Sequence, residues 1–380
     1  MISTRFRADI GRKLWVTLLA GSIAACGVDH PDGAEAFVRV AADAGGHCLL
    51  VLEPTGTEVV TGADATDPAP RPGPAVLDGQ GRLYTQSYED GVVARWTPDG
   101  RFDGTVGAFG DGPGEFHRIE GMALGAGDSV HVFHRGRWSI IAPDLSLVPA
   151  ARSAHLVSGG ALAAEVLDDG RLLVPAISSR VGGPVVAVLS RSGVVEAELG
   201  AGRFGTGVLT TDFGVAYPGQ GDSFWVGPVD WWPTGYVVEK WNVDGEVLDR
   251  IERQIDWISA EAVEESSWPV RFSLRQHRGG LLHVTAQIPD PEGDASGLPP
   301  GIEPTLGRFE FLDPHSGTLV TSGWQGDHEA SVGTMWGRLS NTGHTFRFET
   351  RGDERALVML RMVLQPLPDG PGSECEDPAR

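Results

Sequence analysis

A glycine-containing turn followed by a short strand pattern recurs six times along this chain. The copies are Gly81-Arg82-Leu83-Tyr84-Thr85, Gly127 to Val132, Gly170 to Val174, Gly221 to Val226, Gly279 to Val284 and Gly343 to Phe348. Several follow a second short apolar run, such as Ala75-Val76-Leu77 or Gly121-Met122-Ala123-Leu124. Two apolar runs around a glycine turn read as a β-hairpin. A second turn alternates with the first, as Thr97-Pro98-Asp99-Gly100, Ala142 to Leu145, Ser190 to Gly193, Val243-Asp244-Gly245 and Asp313 to Gly317. Two turns and four strands in a unit of roughly 40–50 residues make one propeller blade.

The two turn types are out of phase at the ends of the chain. The last first-type turn, at Gly343, has no partner downstream, and an extra second-type turn, Glu53-Pro54-Thr55-Gly56, has none upstream. They match if the N-terminal strands complete the blade begun at the C-terminus. Such closure removes free sheet edges, a hazard of open β architectures. The predicted fold is therefore all-β: a six-bladed β-propeller of four-stranded antiparallel blades, its ring closed by N-terminal strands joining the C-terminal blade. Composition agrees, since 53 Gly and 26 Pro among 380 residues disfavour a helix bundle. The longest insertion, Gln287 to Leu306, is rich in proline, and the pattern from Ile255 to Trp268 has helical spacing.

The N-terminus reads as an address. Arg5, Arg7, Arg12 and Lys13 precede an apolar run from Leu14 to Ala25, too short to span a bilayer as a helix. Ile23-Ala24-Ala25-Cys26 resembles the bacterial lipobox, which implies lipidation of Cys26. The expected organisation is a lipoprotein signal peptide over 1–25, a lipidated tether over 26–36, the propeller over 37–368 and an acidic, flexible tail over 369–380. The expected location is the bacterial cell envelope, with the outer membrane favoured in a Gram-negative source because residue 27 is Gly rather than Asp. Cys48 and Cys375 remain as an even pair in an oxidising compartment, open to a disulfide or to two free thiols. The net charge of −21 excludes a nucleic-acid binder that relies on a basic footprint. Contact with the membrane is expected through the lipid anchor only, and the protein is expected to be a monomer.

The segment Gly110-Asp111-Gly112-Pro113-Gly114-Glu115-Phe116 resembles the G-x-G-P-G-E-F blade junction of bacterial six-bladed propeller lipoproteins related to NHL-repeat proteins. Gly127 to Val132, with Pro143-Asp144, continues the pattern. The match is specific over residues 105–145, weaker over 72–250 and architectural beyond. The resemblance implies a structural role for the motif, with Phe116 packed between blades. It implies no common activity.

In a propeller, ligands bind over the channel at loops that follow the second strand of each blade. Those loops supply Tyr88; His134, Arg135 and Arg137; Arg180; Trp231 and Trp232; and Arg351 as candidate ligand-binding residues. Arginine with aromatic side chains suits an anionic or carbohydrate-like partner through forked hydrogen bonds and stacking. The competing reading makes these solvated loops. His131 and His134 have no evident third metal ligand, and neither a Gly-x-Ser-x-Gly elbow nor a His-Glu-x-x-His pattern occurs. Lactonase-type propellers hold catalytic Ca²⁺ with carboxylate and Asn ligands. This chain has only Asn242 and Asn341, which counts against that site without removing an all-carboxylate one. The expected function is a non-catalytic module, with no cofactor, that binds a small molecule or an envelope protein. The alternative is a Ca²⁺-dependent hydrolase or lactonase with its site over the channel.

Overall fold

Short apolar runs separated by turn residues become strands, because each run can bury one or both faces only against neighbouring sheets. In the computed structural model, two strands lie at the N-terminus, β1 (Phe37–Val38) and β2 (Cys48–Thr61). Blade I comprises β3 (Ala75–Leu77), β4 (Leu83–Ser87), β5 (Val92–Trp96) and β6 (Phe102–Gly107). Blade II comprises β7 (Gly121–Leu124), β8 (Val130–His134), β9 (Arg137–Ile141) and β10 (Leu147–Arg152). Blade III comprises β11 (Glu165–Val166), β12 (Leu172–Pro175), β13 (Val186–Leu189) and β14 (Val195–Leu199). Blade IV comprises β15 (Gly214–Ala216), β16 (Ser223–Trp232), β17 (Gly235–Asn242) and β18 (Val247–Gln254). Blade V comprises β19 (Arg271–Gln276), β20 (Leu282–Pro289), β21 (Thr305–Leu312) and β22 (Leu319–Gln325). The chain ends in β23 (His344–Arg351) and β24 (Glu354–Pro366). The structure describes these strands with the turns 78–82, 97–101, 108–117, 119–120, 125–129, 135–136, 142–146, 167–171, 190–194, 243–246, 280–281 and 313–318. It also describes the short flanks at 91, 164, 185, 200–201, 217, 221–222 and 255, together with Cys375.

The expected count of six equivalent blades is corrected. Five blades are built, each from four consecutive antiparallel strands, and the terminal sheet follows another plan. Its order is β1-β2-β24-β23. The expected blade turn at Glu53 to Gly56 is absent. Instead β2 runs through it, pairing Cys48 with Pro366 at one end and Thr61 with Arg355 at the other, with a register shift between Pro54 and Glu58. Proline has no N–H to give a ladder, and an inserted stretch is tolerated as a bulge. The helical pattern lies outside the described residues beyond Ile255, as does the insertion between Pro289 and Thr305, whose two ends pair with each other.

Adjacent sheets share apolar clusters, which is what holds the ring. Phe116, Val132 and Ile141 pack with Val76, Tyr84 and Val93 between blades I and II. Phe224 and Trp241 of blade IV pack on Leu173, Val186 and Val188 of blade III. Val59, Leu357 and Met359 of the terminal sheet pack on Leu77, Leu83 and Trp96 of blade I. Buried indoles keep a partner for their N–H: Trp96 donates to Thr85 Oγ1 at 3.0 Å, and Trp241 to Glu239 Oε2 at 2.9 Å. Cys48 and Cys375 form a disulfide, with Cα atoms 6.0 Å apart, against the cluster that includes Phe309, Phe311 and Met362.

Candidate functional site

In an antiparallel blade, the hairpin between second and third strands emerges at the same end as the connection to the next blade. At that end the described part of the β6–β7 connection, residues 108–117 and 119–120, lies against the β8–β9 hairpin and the end of the β4–β5 loop. The glycines make this approach feasible. A Cβ on Gly107 (φ +103) would stand 2.5 Å from the Phe116 ring, and one on Gly91 (φ +61) 2.1 Å from the Phe116 carbonyl oxygen. Phe116 is fully buried, and its N–H donates to the Ala108 carbonyl at 2.7 Å. Glu115 folds back so that its Oε2 accepts the Gly112 N–H at 2.7 Å. The motif is thus a self-bonded loop pinned by an aromatic wedge.

The pinned loop presents three outward groups. Phe109 is 55% exposed, and its ring meets His117 edge-on with centroids 4.5 Å apart. His117 Nε2 lies 3.3 Å from Asp111 Oδ2. Arg135 Nη1 lies 3.6 Å from Asp111 Oδ1, and Arg137 donates to the Asp111 backbone carbonyl. Asp111 therefore organises all three groups, Arg135 and His117 through its carboxylate and Arg137 through its backbone carbonyl. Arg135 has φ +46, in a two-residue hairpin loop with Gly136 at φ +74. Such loops favour Asn, Asp or Gly, so an arginine sits there at some backbone cost.

His134 lies beneath this surface, and His131 lies toward the other end of β8, beside the turn at Gly125 to Ser129. Burial, with Arg137 nearby, lowers His134 to a pKa of about 4, and its ring sits edge-on to Phe116 at 4.8 Å. His131 is lowered likewise to about 4 by burial, then by Arg191, and its Nδ1 accepts the Trp138 indole N–H at 3.0 Å. Both are neutral at pH 7. Among the described residues no group of three or more His, Cys, Asp or Glu is placed to hold a metal ion.

Of the residues singled out from sequence, the structure brings His134, Arg135 and Arg137 together. Trp231 and Trp232 lie at the far end of β16, opposite Tyr236 and Gly235, and Arg351 closes β23 opposite Glu354. Tyr88 and Arg180 lie outside the described residues. Sequence reasoning missed Phe109, Asp111 and His117 because the motif was read as wholly structural. A carboxylate inside it and a histidine directly after Phe116 were the available signal.

A second polar feature sits at the ring's centre. Glu165 on β11 accepts from Arg275 on β19 at 2.9 Å. Blade IV separates their sheets, and its inner strand there is only Gly214-Val215-Ala216, leaving room for the two side chains to meet. Burial pushes the Glu165 carboxyl up to about 7, against the pull of Arg275. The neighbouring strands β7, β12 and β15 carry no titratable side chain. A folded-state pKa above the unfolded value means that the folded form holds the extra proton between the ordinary carboxylate range and about 7. Stability is then present below that window and falls as pH rises through it. Melting temperature measured from pH 5 to 8 should fall more steeply for the native chain than for Glu165→Gln. Parallel curves would show that Glu165 does not titrate in this range.

Five four-stranded blades and a terminal sheet joined by shared clusters define an all-β propeller. No family model matches the chain, and no curated protein matches it. Solved structures do. A protein described as exported, from Bacteroides fragilis, is 10% identical with a TM-score of 0.53, over 85% of this chain and 98% of its own. A member of the DUF4221 family from Bacteroides vulgatus is also 10% identical with a TM-score of 0.53, over 84% of this chain and 99% of its own. Virginiamycin B lyase from Staphylococcus aureus is 9% identical with a TM-score of 0.44, over 80% and 98%. At these identities the first two likenesses show the fold alone.

Proposed function

We propose that this chain is an extracytoplasmic propeller, lipid-anchored through Cys26 and related to NHL-repeat lipoproteins, that binds a ligand on its loop face without turning it over. The observation that carries the reading is the patch in which the β6–β7 connection and the β8–β9 hairpin present Phe109, Asp111, His117, Arg135 and Arg137 together. The loop is held rigid by Phe116 and Glu115, so its outward groups are preorganised, which lowers the cost of binding. Export is supported by the lipobox-like Ile23-Ala24-Ala25-Cys26 and by the description of the Bacteroides fragilis protein of similar fold.

Two measurements test this. Cys26→Ala should leave the chain soluble in the extracytoplasmic space or unprocessed, whereas mature-sized protein in the membrane fraction would refute the anchor. A thermal-shift panel of mono- and oligosaccharides, acidic and neutral, should contain a compound that raises the melting temperature of the native chain and not of an Arg135→Ala/Arg137→Ala variant. That shift should survive chelation of Ca²⁺, and the compound should be recovered unchanged. Ca²⁺-dependent conversion of the bound compound would instead establish the hydrolase alternative, and a panel without any shift would refute binding on this face.

A further inference from the structure

We propose that the loop-face patch is a subsite for an acidic oligosaccharide, one sugar ring laid on Phe109 and the carboxylate of the adjoining sugar taken by Arg135. This rests on the binding reading above and names the ligand class of that same face.

Arg135 supplies the anion-binding group. A guanidinium carries five N–H donors in a fork that matches a carboxylate. The only charged partner of Arg135 among the described residues is Asp111, at 3.6 Å. That contact is too long for a hydrogen bond, so it steers the guanidinium without consuming its donors. Asp111 is at the same time held by His117 at 3.3 Å and, through its backbone carbonyl, by Arg137. The patch therefore has a surplus of cationic groups on a chain whose net charge is −21. The overall charge repels anions at long range, so capture depends on short-range contacts within the patch.

Phe109 decides between an inorganic anion and an anion carried on a ring. A phosphate or sulfate would use only the arginines, leaving more than half of a phenylalanine exposed beside them with no role. The aromatic face is a stacking platform for the C–H face of a pyranose. Phe109, His117, Asp111 and Arg135 form an unbroken series, 4.5 Å between rings, then 3.3 Å and 3.6 Å between polar atoms. Phe109 and Arg135 stand at the two ends of this series, so a ring on Phe109 would reach Arg135 with a carboxylate carried on the adjoining sugar, past the His117–Asp111 pair. A uronate carries a carboxylate on its ring in this way.

Calorimetric titration of the Cys26→Ala chain tests this with four probes: digalacturonate, neutral galactobiose, inorganic phosphate and a tetraglutamate peptide. Digalacturonate should bind, galactobiose about tenfold or more weaker, and phosphate and the peptide weaker still. Arg135→Lys keeps the charge but loses the fork and should weaken digalacturonate by about tenfold, as should Phe109→Ala. Arg101→Ala, an exposed arginine paired with Asp99 at a turn between third and outer strands, should leave affinity unchanged. Binding of digalacturonate that is insensitive to Phe109→Ala and Arg135→Lys would overturn the subsite. So would phosphate or the peptide binding as tightly as the uronate. Tight galactobiose without digalacturonate would overturn the acidic-sugar class while leaving the binding function standing.

Discussion

Phe224→Ala should lower unfolding free energy by about 3–5 kcal/mol, the range for removing a fully buried phenylalanine. Phe224 has no exposed surface and fills the space between blades III and IV, against Leu173, Val186 and Val188 on one side and Trp241 on the other. Blade IV is also pinned from its far side, where Trp225, Tyr236 and Ile251 pack on Leu274, Leu282 and Val284 of blade V. It cannot slide inward to fill the space left by the ring without opening that second interface. The loss should therefore include the cavity as well as the transferred surface. Urea denaturation followed by tryptophan fluorescence measures it. A change below about 1 kcal/mol would show that the site relaxes and that the two blades move independently.

Reducing the Cys48–Cys375 bridge should have the second large effect. The two residues are 327 positions apart, and the chain-entropy treatment of so long a closed loop gives about 6 kcal/mol, an upper figure because real bridges follow loop length weakly. The bridge acts where the chain has most need of it. The terminal sheet is assembled from both ends of the chain, with β2 laid along β24, and its pairing closes a loop of nearly the whole protein. Loss of the bridge should release β2 before any blade built from consecutive strands. In Cys48→Ser, hydrogen exchange should accelerate first at Val51, Leu52 and their partners Val363 and Met362. Intact mass of the exported chain should be two hydrogens lower before reduction than after. Two freely alkylated thiols in unreduced protein would refute the bridge in solution.

The repeat was legible because it is local. Gly81 closes its turn by donating to the Asp78 carbonyl at 3.0 Å, and Asp78 Oδ1 accepts from the Gln80 and Arg82 N–H groups at 2.9 Å, all within five residues. Leu167 to Arg171 repeats the backbone pattern. Such contacts leave their mark on consecutive letters of the sequence, so strands and hairpins of the five blades could be read directly. The same applies to Phe116, whose place between blades follows from a motif with glycines where close approach is needed.

The terminal sheet was read less well. Glu53-Pro54-Thr55-Gly56 has the letters of a turn, and taken alone it would reverse the chain. Eleven pairs between β2 and β24 outweigh that preference and turn the segment into a bulge in a continuous strand. The candidate site divides in the same way. Arg135 sits in a hairpin turn and Arg137 directly after it, both legible in the sequence. That Asp111, 26 positions before Arg137, would organise them was decided by packing, when Phe116 wedged its loop against the hairpin.

By itself, then, the sequence determined the local elements: alternating strands, two kinds of glycine turn, the aromatic wedge and the charge that excludes nucleic acid. Each depends on residues within a few positions of one another. Only the tertiary structure decided how the two ends of the chain share a sheet, why Glu165 reaches Arg275 past the small inner strand of blade IV, and which loop groups converge beside Phe109. Those outcomes turn on contacts between residues tens to hundreds of positions apart. Closing such loops costs entropy that only the assembled ring, with its shared apolar clusters, can offset.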